Sequence, residues 1–263
     1  MKADDSGKYL RGKENAMNHL NTIVLFVMGT ACGSLITCVS DRIIADEDWI
    51  RGRSHCDHCR HVLRPADLIP VLSWILLKGR CRYCHEKIPV HSTVIEILTG
   101  ILFVLLYLKE KKWNPMLFRN LILIVLCMGI SLIDWKKMII PDGFIIAGMM
   151  NWLAFAFVSR DGRQYCIDGI TGAILISGMV LSIALIMNRI LGRESLGGGD
   201  LKLLFVISLY TGAFAGMLVL FLSCLIGLFC IIAMKQDRIP FAPSICLAAY
   251  LVFLAGKEMT ALF

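Results

Sequence analysis

Charge is scarce in this chain. Asp, Glu, Lys and Arg supply only 18% of its 263 residues, against about 25% in an average soluble domain. Apolar residues reach 57%, against roughly 45–50%. There is no low-complexity tract and no repeat with a period of about 20–50 residues. No glycine-rich nucleotide loop of the Rossmann type follows a strand. A single soluble globule, a secreted or fibrous protein and a disordered chain do not fit these features.

What the chain has instead is long apolar runs such as Leu20–Val39, Val90–Leu108 and Cys166–Met187. At 1.5 Å rise per residue, about 20 helical residues cross a hydrocarbon core of roughly 30 Å. Reading runs and breakers together gives spans near 20–40, 90–108, 116–133, 143–158, 166–187, 201–211, 212–234 and 240–256. The fold class expected is an all-α, polytopic helical membrane protein with about eight transmembrane helices. The weakest division lies within Leu201–Met234, which only Tyr210-Thr211-Gly212 interrupts; one long tilted helix, or a short half-span followed by a full one, would also fit.

The first 19 residues are polar, and Gly29-Thr30-Ala31-Cys32 faintly resembles a lipoprotein cleavage site. Gly29 stands where such a site wants Leu, and the apolar run continues to Val39, so 20–40 reads as a span. Residues 1–19 read as a polar extension, or as a misassigned start preceding Met17.

Loops separated by two spans share a side of the membrane. The segments 41–89, 134–142, 188–200 and 235–239 therefore face one way, and with the start of the next span they hold 16 of the 27 Lys and Arg residues. Nine of these lie between Arg42 and Lys87. The bias puts that face in the cytoplasm and reads as a membrane-topology signal, not as a nucleic-acid surface.

Seven of the 11 cysteines sit singly in or beside apolar runs, where a thiol behaves as a small hydrophobe. The other four form Cys56-Asp57-His58-Cys59 and Cys81-Arg82-Tyr83-Cys84. That is close to the spacing of two zinc knuckles closing a tetrahedral site of four thiolates. Cys56, Cys59, Cys81 and Cys84 are the candidate ligands of a structural zinc, which would supply the core that a loop this small lacks. A redox pair of disulfides is the competing reading, and five histidines nearby offer substitute ligands. The stretch Leu68–Leu77 between the knuckles is apolar but too short to span, and suits the membrane interface.

Two acidic motifs end or begin spans on the same face: Ile133-Asp134-Trp135-Lys136, and Gly197-Gly198-Gly199-Asp200-Leu201-Lys202. A carboxylate near hydrocarbon is costly unless paired or useful. The glycines before Asp200 let backbone and substrate approach it. Two carboxylates brought together do not both ionise easily, so one serves as acid while the other activates water. Asp134 and Asp200 are the candidate catalytic dyad. Asp142 and Asp168 read as interfacial helix caps, and Lys136 and Lys202 as groups that bias the dyad or anchor on lipid phosphate.

These residues carry a resemblance to a known family. From about residue 28 onward the chain is similar to the type IV prepilin peptidases (prepilin leader peptidase/N-methyltransferases), integral-membrane aspartic proteases. The matching segments are Gly33-Ser34-Leu35-Ile36-Thr37-Cys38-Val39 with Arg42, Arg53-Ser54-His55-Cys56 and Asp67-Leu68-Ile69-Pro70. Ser73-Trp74, Gly79–Cys84, Glu96-Ile97-Leu98-Thr99-Gly100 and Ile239-Pro240-Phe241-Ala242-Pro243 complete the set. The resemblance implies Asp134 and Asp200 as the catalytic pair, with Asp142 as runner-up. It further implies a place in the bacterial cytoplasmic membrane and cleavage of the basic leader of prepilins or pseudopilins, after a glycine and before a hydrophobic helix. Methylation of the new N-terminus with S-adenosylmethionine is the implied second activity. Thr37 in place of the usual Asn, and the lack of Tyr-Pro before the second span, are departures in or beside the segment the family associates with methyl transfer. Glu96 reads equally as a methyltransferase residue or as a packing acid paired with a base.

The domain plan expected is an extension over 1–19, a first helix over 20–40, a cytoplasmic four-cysteine domain over 41–89 and a transmembrane peptidase domain over 90–263. Two other readings remain: another intramembrane aspartic protease with the Gly-x-Gly-Asp motif, and a transporter or redox sensor using the acids for protons and the thiols for sensing.

Overall fold

The computed structural model describes residues 3–48, 52–56, 58–159, 162–192, 196–235 and 239–256, with side chains from residue 17 onward. The architecture is helical, as the sequence leads one to expect. In chain order it comprises α1 (Ala3–Ile44), a short 3-10 turn (Pro65–Leu68), α2 (Leu72–Leu76), α3 (Val90–Glu110), α4 (Pro115–Lys137), α5 (Asp142–Val158), α6 (Gly162–Leu191), α7 (Gly198–Met234) and α8 (Ala242–Ala255). Among the described residues, five helices are long and apolar enough to cross a membrane: Met17–Ile44 within α1, α3, α4, α6 and α7; α5 and α8 are shorter apolar helices. Helix α1 already begins in the polar segment 1–19, at Ala3.

Local chemistry sets the boundaries. Asn114 caps α4 by accepting from the Leu117 N–H at 2.6 Å, and Pro115 follows where no N–H is needed. Helices α3 and α5 start directly after Pro89 and Pro141. Helices α3, α4 and α7 end on Lys111, Met138 and Lys235 in the left-handed conformation.

The stretch 201–234 is one element whose backbone breaks at Gly212, with φ 73° and ψ −173°, a conformation open to glycine alone. A methyl group on Gly216 would lie 3.3 Å from Ser208 Oγ. Eight residues of straight helix advance about 12 Å, so the chain turns sharply at Gly212 and α7 consists of two arms. The division at Tyr210-Thr211-Gly212 therefore coincides with a real break; among the described residues the helices long enough to span remain five.

The chain forms two compact units. The first contains Met1–Cys38 and Arg51–Lys112. Here α1 and α3 approach to backbone contact: a methyl on Gly29 would sit 2.7 Å from Gly100 Cα, and one on Gly33 would sit 2.9 Å from Glu96 Cα. Small residues four apart are how membrane helices gain van der Waals contact where no hydrophobic drive exists. The second unit contains Val39–Ile50 and Trp113–Phe263. In it α6 packs along α7, and α8 lies between α4 and α7. Its core holds Leu117, Ile133, Ile176, Leu203, Ile207 and Ile245, each almost fully buried.

Candidate active site and metal centre

Asp134 occupies the last turns of α4 and is 5% exposed. Its Oδ2 accepts the backbone N–H of Ala242 at 3.0 Å. Ala242 is the first residue of α8, so Asp134 receives one of the amide donors that a helix N-terminus leaves without intrahelical partners. Asp200 is half-buried in the first turn of α7, whose N-cap is Gly197. The glycine run brings this turn close to the α4–α5 corner: a methyl on Gly199 would meet Ile140 Cβ at 3.1 Å. Asp134 and Asp200 come near enough for the charge of one to act on the other.

Other acids at this face are engaged differently. Asp142 is 66% exposed at its side chain and forms an ion pair with Lys202 at 2.7 Å. Lys136 pairs with Asp41 at 2.9 Å, and Lys137 with Asp46 at 2.9 Å. The two lysines read from sequence as biasing the dyad or resting on lipid thus have other carboxylates as partners. Asp168 is exposed and accepts from Gln164 one turn away.

In the first unit the two Cys-x-x-Cys segments fold as matching knuckles. Cys56 N–H bonds to His61 O at 3.0 Å and Cys81 N–H to Glu86 O at 2.8 Å; Arg60 and His85 take equivalent left-handed positions, φ 56° and 57°. Antiparallel bridges His55–Val62 and Arg80–Lys87 flank them. The four sulfurs lie within 4.8 Å of one another, and Cys56 Sγ and Cys84 Sγ are 3.8 Å apart. A tetrahedron with Zn–S bonds of about 2.3 Å has edges of about 3.8 Å, so this donor set fits a four-thiolate ion. All four cysteines are free thiols. Burial raises the Cys81 thiol, but the backbone N–H groups of Cys84 and Tyr83 and the neighbouring thiols outweigh it and bring it to about 7. The same amide groups would favour a thiolate ligand.

Asp67 braces the knuckles. Its carboxylate accepts from Arg64 N–H at 3.1 Å, Arg82 Nε at 2.7 Å and Tyr83 OH at 3.0 Å. Burial pushes it up, but those three donors and the Arg82 charge prevail and hold it below the usual carboxylate range. A cavity of about 380 Å³ beside the knuckles is bordered by His55, Asp67, Arg82, Glu86 and Lys87.

Glu96 has a different partner from the base that the packing reading expects. It is 6% exposed, and its Oε2 accepts the backbone N–H of Val71 at 2.8 Å. Val71 has φ 59°, a strained position for a β-branched residue, at the N-cap of α2. The acid's partner is a strained backbone amide, not a base.

Sequence reading passed over a buried polar cluster in the second unit. Arg119, 7% exposed, donates to Asn120 Oδ1 at 2.8 and 3.0 Å and to Tyr165 OH at 2.9 Å. Its guanidinium lies over the Tyr165 and Tyr210 rings. Asn151 donates to Arg119 O and to Tyr210 OH. The signal was available: Arg119, Asn120 and Asn151 are polar residues inside apolar spans.

Comparison with known proteins bears on both units. Residues 27–110 match the Bacterial Peptidase A24 N-terminal domain, and residues 121–232 match the Type IV leader peptidase family. A prepilin leader peptidase/N-methyltransferase of Bacillus subtilis (strain 168) is 30% identical over 247 residues, 91% of this chain and 96% of its own length. One from Aeromonas hydrophila is 30% identical over 216 residues, covering 79% of this chain and 73% of the relative. One from Myxococcus xanthus is 32% identical over 192 residues; the alignment covers 73% of this chain and 56% of that longer relative. No solved structure matches. The chain belongs to the type IV leader peptidase family, like these three relatives named prepilin leader peptidase/N-methyltransferase.

Proposed function

We propose that this protein removes the leader of type IV prepilins or pseudopilins at the cytoplasmic membrane, with Asp134 and Asp200 as an aspartic dyad. The observation that carries this reading is the convergence of the two carboxylates at one end of the second unit, with Asp134 anchored by the Ala242 amide. One carboxyl, protonated, donates to the carbonyl oxygen of the scissile peptide. The other, ionised, takes a proton from the attacking water. The Ala242 bond holds Asp134 Oδ2, so its second oxygen is the one left to face water or substrate. A substrate whose own helix lies in the bilayer presents its leader at this edge.

The relatives' name carries N-methyltransferase as a second activity; for this chain we infer methylation of the newly exposed amine, with S-adenosylmethionine as the donor. Cys56, Cys59, Cys81 and Cys84 hold a structural zinc: four thiolates leave no open coordination position for catalysis.

Mass spectrometry of a co-expressed prepilin tests the reading. Wild type is expected to yield the shortened chain with one added methyl group. Asp134→Asn and Asp200→Asn are each expected to lower cleavage by about 10³-fold or more, while Asp168→Asn retains it. Full cleavage by either dyad variant overturns the assignment of that residue.

A further inference from the structure

Helices α5, α6 and the first arm of α7 enclose an open groove of about 650 Å³ within the second unit. Its walls are apolar: Ile146 and Met149 from α5, Ile174 and Leu181 from α6, Phe205 from α7. Ile174 and Ile146 are 61% and 58% exposed. Gly178 lies midway along the α6 wall, and a side chain there would meet nothing within 4 Å. Ser177, the polar residue beside it, turns its hydroxyl back onto the Ala173 carbonyl, so this part of the wall offers hydrocarbon. From Ile174 to Leu181 the wall runs about 10 Å, two turns of helix.

One end of the groove is charged. The Asp142–Lys202 ion pair forms its mouth, and Leu201 and Lys202, which line it, directly follow Asp200 in the first turn of α7. The charged end of the groove therefore lies within one turn of α7 from Asp200. From there the groove leads away along apolar helices.

Resting on the function proposed above, we infer that this groove seats the first two turns of the prepilin's own hydrophobic helix, immediately after the scissile bond. A substrate that is basic before the cut and apolar after it matches the arrangement in order. The basic leader meets the charged end, where it competes with Lys202 for the exposed Asp142 carboxylate, and the apolar helix takes the hydrocarbon walls, with the vacant side of Gly178 admitting a bulky residue. An apolar helix gains little from leaving lipid for another apolar surface. The binding energy comes from van der Waals packing against a concave wall, and its use is to hold the scissile peptide at the dyad.

Photo-crosslinking in vesicles tests this. p-Benzoyl-phenylalanine is placed at Met149, at Ile174 or, as a control, at Phe157, which is 84% exposed near the far end of α5. Each is combined with Asp200→Asn to retain substrate, and a full-length prepilin is the probe. Adducts to the first residues of the mature prepilin are expected from Met149 and Ile174, and lipid adducts alone from Phe157. In parallel, Gly178→Phe fills the groove and is expected to raise KM for prepilin about tenfold with kcat changed less than about threefold. Wild-type enzyme in the same vesicles is the reference. If it does not cut the prepilin, the peptidase reading fails. If it cuts, while Met149 and Ile174 capture lipid alone and Gly178→Phe leaves KM unchanged, the groove is a lipid-facing surface and the inference is overturned.

Discussion

At the scale of single residues, carboxylates in this protein differ by what donates to them. Asp134 takes a main-chain amide from another helix, Asp142 a surface lysine, Glu96 a strained amide, and Asp67 three donors from the knuckles. Asp67 lies outside the membrane spans, and its depressed pKa has a consequence with a definite sign. A carboxyl whose folded pKa is below its unfolded value of about 3.9 contributes stability that is fully present above that value. The contribution fades as pH falls through the folded pKa. Amides around Arg64 and Tyr83 are therefore expected to exchange hydrogen faster in Asp67→Asn than in wild type at pH 6, and the gap is expected to close below about pH 4. A gap that stays constant with pH would show that Asp67 acts by packing alone. Residue types and spacing marked Asp134, Asp200 and the four cysteines as candidates in the sequence, and the structure gathers the four sulfurs into one cluster. The donor to Asp134 was not legible there, because Ala242 acts through its backbone, 108 residues away, and a backbone amide leaves no mark in residue type.

Elements show where local rules suffice and where they do not. The break in α7 was readable because a glycine within an apolar run is a weak point, and Gly212 has the backbone angles that exploit it. Gly212→Val forces a β-branched side chain into a glycine-only conformation, at a cost of about 1–3 kcal/mol. In detergent it is expected to lower the unfolding midpoint by several degrees. An unchanged midpoint would mean that the turn is relaxed in the membrane. The apolar stretch Leu68–Leu77 starts on the last residue of the 3-10 turn and contains α2, with Leu72, Ile75 and Leu76 left exposed, as a piece resting at the interface would have them. What sequence could not supply was the tether from Val71 to Glu96, since it joins residues 25 apart through a strained amide. The knuckles are held by short turns and a ring of sulfurs, with little core of their own; Cys81 is the one fully buried thiol among the four. Metal removal should therefore unfold this element while the spans keep their helicity. Chelation, or Cys81→Ser, is expected to release about one zinc per chain and to expose 52–88 to protease, with far-UV circular dichroism nearly unchanged. A folded, protease-resistant segment without metal would overturn the structural-zinc assignment.

For the whole molecule, the contacts at one face of the second unit test the parity argument from the spans. Lys136 and Lys137 reach Asp41 and Asp46, Lys202 reaches Asp142, and the Asp134 carboxylate reaches the start of α8. The segments after α1, after α4, before α7 and before α8 are thereby brought to one side, the grouping that alternating spans require. Each exposed ion pair adds at most about 1 kcal/mol, so the pairs record the topology more than they stabilise it. Which side this face occupies is set by its excess of Lys and Arg, carried mostly by the segment from Arg42 to Lys87. Alkaline phosphatase, which matures only outside the cytoplasm, reads the orientation when fused to truncated chains. Fusion after Lys112, between α3 and α4, is expected to be active, and fusion after Ile139, between α4 and α5, inactive. The reverse pattern would put Asp134 and Asp200 on the outer side, away from a prepilin leader still in the cytoplasm, and the proposed reaction would lose its substrate. The expected pattern would place dyad, groove mouth and leader in the same compartment. Cleavage would then follow from the membrane position of the substrate helix without a separate step to carry the leader to the site.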